Sequence, residues 1–259
     1  MNRIAARFNQ LKSEGKKAFI PYIMGGDPDL AKTAELIRML ADNGADLIEV
    51  GVPFSDPVAD GPVIQQAGVR SLHNGCSLDK LLATIEEVNH NIDTPVILMI
   101  YYNMIFQRGF AEFFEKLKTA GCAGLIIPDL PPDEAGDLRR LATEYGIGVN
   151  FLVAPTSNEE RITQVAEAST GFVYAVSLKG VTGARAELPP ELPVFIEKIK
   201  KATSKPVAVG FGISSSEQAK MVSKLADGVI VGSAIVKAAN QDPSLGELKE
   251  LITKLRSAI

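Results

Sequence analysis

Eight short runs of apolar, often β-branched residues recur along the chain, at 18–24, 47–50, 95–101, 125–127, 147–153, 172–176, 206–211 and 229–231. Asn43-Gly44-Ala45-Asp46 leads into the second run, Gly121 and Gly124 into the fourth, Gly146 into the fifth, Gly171 into the sixth and Gly228 into the eighth. Gly121, Gly146 and Gly171 are spaced 25 residues apart. A glycine just past a helix tolerates the left-handed backbone that stops it. The runs show little apolar/polar alternation, which is the pattern of parallel strands covered by helices on both faces. The segments between them carry helix start signals. Asp27-Pro28 reads as an N-cap followed by a first-turn proline, and Ser157-x-x-Glu160 and Ser214-x-x-Glu217 as capping boxes.

Eight β/α units within 259 residues predict a single (β/α)8 TIM barrel, one α/β catalytic domain spanning residues 1–259. An open doubly wound sheet would carry a Gly-rich dinucleotide turn after its first strand, and Gly25-Gly26-Asp27-Pro28 lacks that pattern. The segment 1–13 reads as an extra N-terminal helix, with Ile4, Phe8 and Leu11 on one face, able to plug the end of the barrel away from the chemistry.

Composition narrows the function. Hydrophobic residues make up 46% of the chain and the net charge is −4, which argues for a small-molecule protein and against a nucleic-acid binder. The two cysteines lie far apart, and His73 and His90 have no acidic cluster beside them, so neither a disulfide framework nor a metal site is expected. Charged residues interrupt the N-terminus where a secretory signal would need an apolar stretch, and no run is long enough for a membrane span. The cytoplasm is the expected compartment.

Barrel enzymes build their sites at the C-terminal ends of the strands. The seventh run ends Gly210-Phe211-Gly212-Ile213-Ser214, and the eighth ends Gly232-Ser233 before a short helical stretch. The sixth is followed by Lys179-Gly180-Val181-Thr182-Gly183. Singly these are ordinary loop glycines. Three such loops on one rim, with a helix N-terminus among them, predict a phosphate site made mainly of backbone amides and Ser233.

Glu49 stands inside an apolar run, so its carboxylate loses water whichever way it points. Desolvation poises such a group as a proton shuttle, although a buried Glu paired with a cation or hydroxyl fits the residues as well. Its place near a strand end favours catalysis. The loop Pro53-Phe54-Ser55-Asp56-Pro57-Val58-Ala59-Asp60-Gly61-Pro62 carries two acids ahead of a helix expected over 63–71. Each reads as a cap or turn residue, or as a carboxylate brought over the site by loop closure. Asp129 ends the fourth run, in a supporting or a chemical role. Tyr22, Tyr101 and Tyr174 either line an aromatic-accepting pocket or pack in the core.

Glu49-Val50-Gly51-Val52-Pro53-Phe54-Ser55-Asp56-Pro57, continuing through Ala59-Asp60-Gly61-Pro62, resembles the tryptophan synthase α subunit family. Pro21-Tyr22 with Gly26-Asp27-Pro28, Gly180-Val181-Thr182-Gly183, Gly210-Phe211-Gly212-Ile213-Ser214 and Gly232-Ser233-Ala234-Ile235-Val236 extend the resemblance over essentially the whole chain. It implies a lyase that cleaves indole-3-glycerol phosphate to indole and glyceraldehyde 3-phosphate. It makes Glu49 the acid/base residue and Asp60 its partner at the indole nitrogen. It assigns the phosphate to Gly183, Gly212, Gly232 and Ser233, and puts Tyr22, Ile64, Tyr174 and Phe211 around the substrate. The segment 178–189 would be a lid, with Thr182 meeting the acids on closure. No cofactor is implied in this chain. The implied partner is a β subunit that carries pyridoxal phosphate and receives the indole, in an αββα heterotetramer. Met24-Gly25 departs from the family's usual residues and would alter the loop after the first strand. A stand-alone lyase, a Schiff-base aldolase using Lys179 and a non-catalytic activating barrel are the alternatives.

Overall fold

A computed structural model of the chain describes residues 2–177 and 189–259. Its strands are β1 (Ala18–Met24), β2 (Ile48–Gly51), β3 (Val96–Met99), β4 (Gly124–Ile126), β5 (Gly148–Asn150), β6 (Leu152–Val153), β7 (Val173–Val176), β8 (Val207–Gly210) and β9 (Gly228–Val231). They are hydrogen-bonded in the order β5-β4-β3-β2-β1-β9-β8-β7-β6, and every pairing is parallel. The two ends of that order, β5 and β6, are consecutive pieces of the fifth apolar run. The sheet therefore closes on itself as the expected barrel, and the seventh and eighth runs are β8 and β9.

The fifth run is split at Phe151 because Asn150 lends its side chain to both neighbours. The fully buried Asn150 amide donates to Leu125 O at 3.2 Å and accepts from Phe172 N at 2.8 Å. A polar side chain thus supplies bonds that a regular ladder would take from the backbone, as the burial of these groups requires.

Strand side chains alternate between two cores. Ile48, Val50, Leu98, Val173, Ala175 and Val209 face the surrounding helices. Ile20, Tyr22, Ile97, Met99, Tyr174 and Ile230 fill the barrel. This parity fixes Glu49: its neighbours Ile48 and Val50 point outward, and its cross-strand partners Tyr22 and Ile97 point inward. Glu49 therefore projects into the barrel.

Helix α1 (Arg3–Ser13) closes the floor, burying Ile4, Phe8 and Leu11 as expected. Ile4 packs where side chains on Gly124, Gly148 and Gly171 would otherwise stand. Gly121 and Gly146 have the left-handed φ values, +69° and +71°, anticipated for helix stops. Gly171 does not; it is small to admit Ile4.

The start signals need correction. Helix α2 (Leu30–Asp42) is capped by Asp29, which accepts from Lys32 N at 2.7 Å. Asp27 precedes a cis peptide to Pro28, and its carboxylate instead takes a two-pronged bond from Arg70 at 2.8 Å. Asn158 rather than Ser157 caps the helix Glu159–Ala168, and Ser215 with Gln218 forms the capping box of Ser216–Leu225. In both cases the adjacent residue is an equally good acceptor and lies one step nearer the helix. Met24 is buried inside the barrel, while Gly25 N donates to Gly51 O at 2.8 Å and lies beneath Leu81.

Candidate active site

A cleft opens at the C-terminal ends of the strands. Glu49 and Asp60 form its acid wall, Tyr22, Ile64, Tyr174 and Phe211 its apolar sides, and Gly212, Gly232 and Ser233 its far end. The structure thus brings together nine of the eleven residues expected from the sequence. The other two, Thr182 and Gly183, lie outside the described residues, as do Lys179 and nearly all of the expected lid.

Glu49 is fully buried, and neither carboxylate oxygen has a hydrogen-bond partner among the described residues. Desolvation, with a smaller push from the Asp60 charge, raises its pKa to about 8. Among the described residues, no cation or hydroxyl satisfies it, so they do not supply the alternative of a paired, buried Glu. An unsatisfied buried carboxyl is costly, and such a cost persists where chemistry uses the group.

Asp60 lies just before the N-cap of α3 (Pro62–His73), a cap position taken by Gly61 with no side-chain bond. The carboxylate of Asp60 is not a cap; it faces the cleft and accepts a hydrogen bond from the Tyr101 hydroxyl at 3.2 Å. Burial raises its pKa to about 6, opposed by that hydrogen bond. Two carboxyls in one cleft thus differ in their readiness to ionise, the arrangement that separates acid from anion.

Tyr22 and Tyr174 stand over glycines. A side chain on Gly51 would collide with the Tyr22 hydroxyl, and one on Gly210 with that of Tyr174. Both phenols are buried, which holds their pKa values well above the ordinary one. Tyr101 is not a cleft wall. Its ring stacks on Phe54 at 5.0 Å between centroids, outside the pocket.

At the far end, Phe211 and Gly212 both have left-handed backbone, with φ +72° and +76°. For a phenylalanine this is strained, and such strain clusters at functional turns. Ser177 donates to Phe211 O and so helps to hold the turn. Gly232 is the N-cap of the helix Ser233–Gln241, whose first N–H groups have no partner within the helix. Gly212, Ser214, Gly232 and Ser233 carry no charge, so these four residues can hold an anion only through dipoles and N–H or O–H donors.

Asp56 is exposed and accepts from Ser55. Asp129 is also exposed; it accepts from Tyr102 N at 2.9 Å, a structural bond at the start of the helix Tyr102–Arg108. Ile213 and Ser214, at the end of the glycine-rich turn, also line the cleft, as do Met99 and Ile230, and Ser177 supports it; the last three carry no motif in the sequence. Met99 and Ile230 share the inward parity that the strand register reveals, and Ser177 carried no signal beyond its place after a strand. Among the described residues no cluster of potential metal ligands occurs, and no helix is long and apolar enough to cross a membrane.

Residues 8–257 match the family model described as tryptophan synthase alpha chain. The tryptophan synthase alpha chains of Synechocystis and Dehalococcoides mccartyi are 49% and 45% identical, each over all of both chains. Among solved structures, a chain of Mycobacterium tuberculosis tryptophan synthase superposes with a TM-score of 0.93 at 37% identity, covering 100% of this chain and 98% of that one. The Legionella pneumophila tryptophan synthase subunit alpha gives 0.91 at 38% identity, with 100% and 98% covered.

Proposed function

Because the chain belongs to the tryptophan synthase alpha chain family, we propose that Glu49 is the proton shuttle and Asp60 its anionic partner in the family's reaction. That reaction is the cleavage of indole-3-glycerol phosphate to indole and glyceraldehyde 3-phosphate, and this chain is a carbon–carbon lyase of tryptophan biosynthesis.

The cleavage is a retro-aldol step. Neutral Glu49 gives its proton to the indole ring carbon that bears the glycerol phosphate chain, and the ring becomes cationic at nitrogen. The Glu49 carboxylate then takes the proton of the adjacent side-chain hydroxyl. The oxygen's electron pair forms the aldehyde carbonyl, the carbon–carbon bond breaks, and its electrons neutralise the ring. Indole leaves with Glu49 protonated again, so one buried carboxyl serves as acid and base in turn. Asp60 ionises more readily than Glu49, so it is the group suited to stay charged, accept from the indole N–H and stabilise the cationic ring.

Tyr22, Ile64, Tyr174 and Phe211 flank the indole. Gly212, Gly232 and Ser233 take the phosphate, with Gly183 beside them and Thr182 near the acids as the family resemblance implies. Anchoring the phosphate holds the reacting carbon against Glu49. The indole passes to a β subunit, which carries the pyridoxal phosphate of the αββα enzyme. We read residues 1–259 as one catalytic domain working in the cytoplasm. The Schiff-base aldolase and the non-catalytic barrel draw no support from the family membership.

The observation that carries the assignment is the fully buried Glu49 carboxyl inside the cleft, unpartnered among the described residues. The test is steady-state cleavage of indole-3-glycerol phosphate by Glu49→Gln. Turnover should fall about 10²–10⁴-fold, the usual loss for a general acid–base group, with substrate affinity largely kept. Near wild-type turnover would overturn the assignment.

A further inference from the structure

We propose that Tyr101 is a positioning residue for the cleavage: its hydroxyl, bonded to both Ala59 and Asp60, fixes the Asp60 carboxylate over the cleft. This rests on the reading of Asp60 as the group at the indole nitrogen.

The phenol is set by rigid neighbours. Tyr101 lies two residues past β3 and is the N-cap of the helix Tyr102–Arg108, with Ile100 N bonded to Ile126 O at 3.0 Å and Met104 N to Tyr101 O at 3.1 Å. Its side chain is only 3% exposed, and its ring stacks on Phe54 at an interplanar angle of 26°. A tyrosine so held has little freedom left to lose when its hydroxyl engages the loop.

That hydroxyl works in both directions. It accepts from Ala59 N at 3.0 Å and donates to Asp60 Oδ2 at 3.2 Å. The loop's own bonds, Val58 N to Asp56 O at 2.9 Å and Asp60 N to Pro57 O at 3.1 Å, are internal and do not tie it to the barrel. On the α3 side Gln65 holds Asp60 O at 2.9 Å, which restrains the backbone and leaves the carboxylate free to rotate. Among the described residues the Tyr101 bond is the one that aims the carboxylate, and Phe54 adds a second hold by the loop on the same ring.

The bond also favours the ionised form of Asp60 against its burial. Among the described residues, the titratable groups facing Asp60 are Glu49 on β2, Tyr22 on β1, Tyr174 on β7 and Tyr101 itself, while the Asp129 charge acts on Tyr101. None of them is a cation. Tyr101 is the neighbour whose hydrogen bond offsets desolvation, so its loss moves Asp60 toward the neutral form.

Tyr101→Phe keeps the ring and its stack and deletes the hydroxyl. The test compares wild type, Tyr101→Phe and Asp60→Asn in steady-state cleavage of indole-3-glycerol phosphate over the acid limb of the pH profile. In parallel, carbon-13 NMR follows the Asp60 carboxyl titration in wild type and Tyr101→Phe, a readout that needs no turnover. For Tyr101→Phe we expect the acid limb of kcat/KM and the Asp60 titration to move together to higher pH. We expect kcat/KM on that limb to fall about tenfold, the scale of one hydrogen bond to a charged group. Binding of inorganic phosphate should be unchanged. An acid limb and a titration that stay in place, even with reduced activity, would show a merely structural role and overturn the proposal. Wild-type activity and pH profile in Asp60→Asn would instead remove the reading of Asp60 on which it rests.

Discussion

The phenol of Tyr22 occupies the space that a side chain on Gly51 would need. The two residues lie on adjacent strands, where Tyr22 pairs in register with Glu49, two positions before that glycine. The absence of one methyl group on β2 therefore lets an aromatic wall stand next to the acid.

Gly51→Ala forces Tyr22 out of place. An overpacked core costs about 1–3 kcal/mol. Here the displaced group is a cleft wall, so we expect kcat/KM for indole-3-glycerol phosphate to drop by about tenfold or more in a folded protein. Circular dichroism with steady-state assay checks this, and unchanged kinetics would contradict the packing argument.

Activity should peak between the two carboxyl pKa values. The reaction needs Asp60 ionised and Glu49 protonated. The profile of kcat/KM therefore rises with pH through about 6 and falls through about 8. In Asp60→Asn the acid limb should lose the Asp60 titration and keep only the ionisation of the substrate phosphate. A profile that climbs steadily to alkaline pH would assign Glu49 the wrong starting form.

Stability should carry the same signature with a definite sign. The folded chain keeps the Glu49 proton up to about pH 8, whereas an unfolded chain releases it near the ordinary value of 4.5. Between those values the folded state binds more protons, so stability falls as pH rises across the window and levels off above it. Glu49→Gln has no such proton to lose. Relative to wild type it should gain on the order of a few kcal/mol from the acid to the alkaline end. Asp60 adds a slope of the same sign at lower pH in both proteins. Urea unfolding at several pH values measures the difference, and parallel curves would contradict the burial of an ionisable Glu49.

Gly232→Asp puts a negative side chain at the N-cap of the helix Ser233–Gln241, where the substrate phosphate is expected. Phosphorylated ligands should lose binding selectively, while indole alone keeps its affinity. Isothermal calorimetry with glyceraldehyde 3-phosphate and with indole separates the two, and equal loss of both would indicate general damage.

Much of this architecture is legible in the sequence. Repeated apolar runs are a local signal, and they specified the barrel and put the glycine-rich turns on one rim. What the runs could not specify was direction. Glu49 is buried whichever way it points, and only the register with Tyr22 and Ile97 decides that it enters the barrel. Asp60 looks like a helix cap because its neighbours are Gly61 and Pro62; its real partner, Tyr101, is 41 residues away and invisible to local pattern. Caps slipped by one residue at Asn158 and Ser215, where polar residues adjoin and only backbone geometry chooses between them. The interruption at Phe151 had a signal in hindsight, the single amide of Asn150 within an otherwise apolar run.

The uncharged far end of the cleft has a consequence for solution behaviour. Gly212, Ser214, Gly232 and Ser233 have no side chain that gains or loses a proton near neutrality. Acidification therefore weakens the grip of these four residues only by protonating the guest itself, turning a dianion into a monoanion, and the midpoint of that weakening belongs to the ester rather than to them.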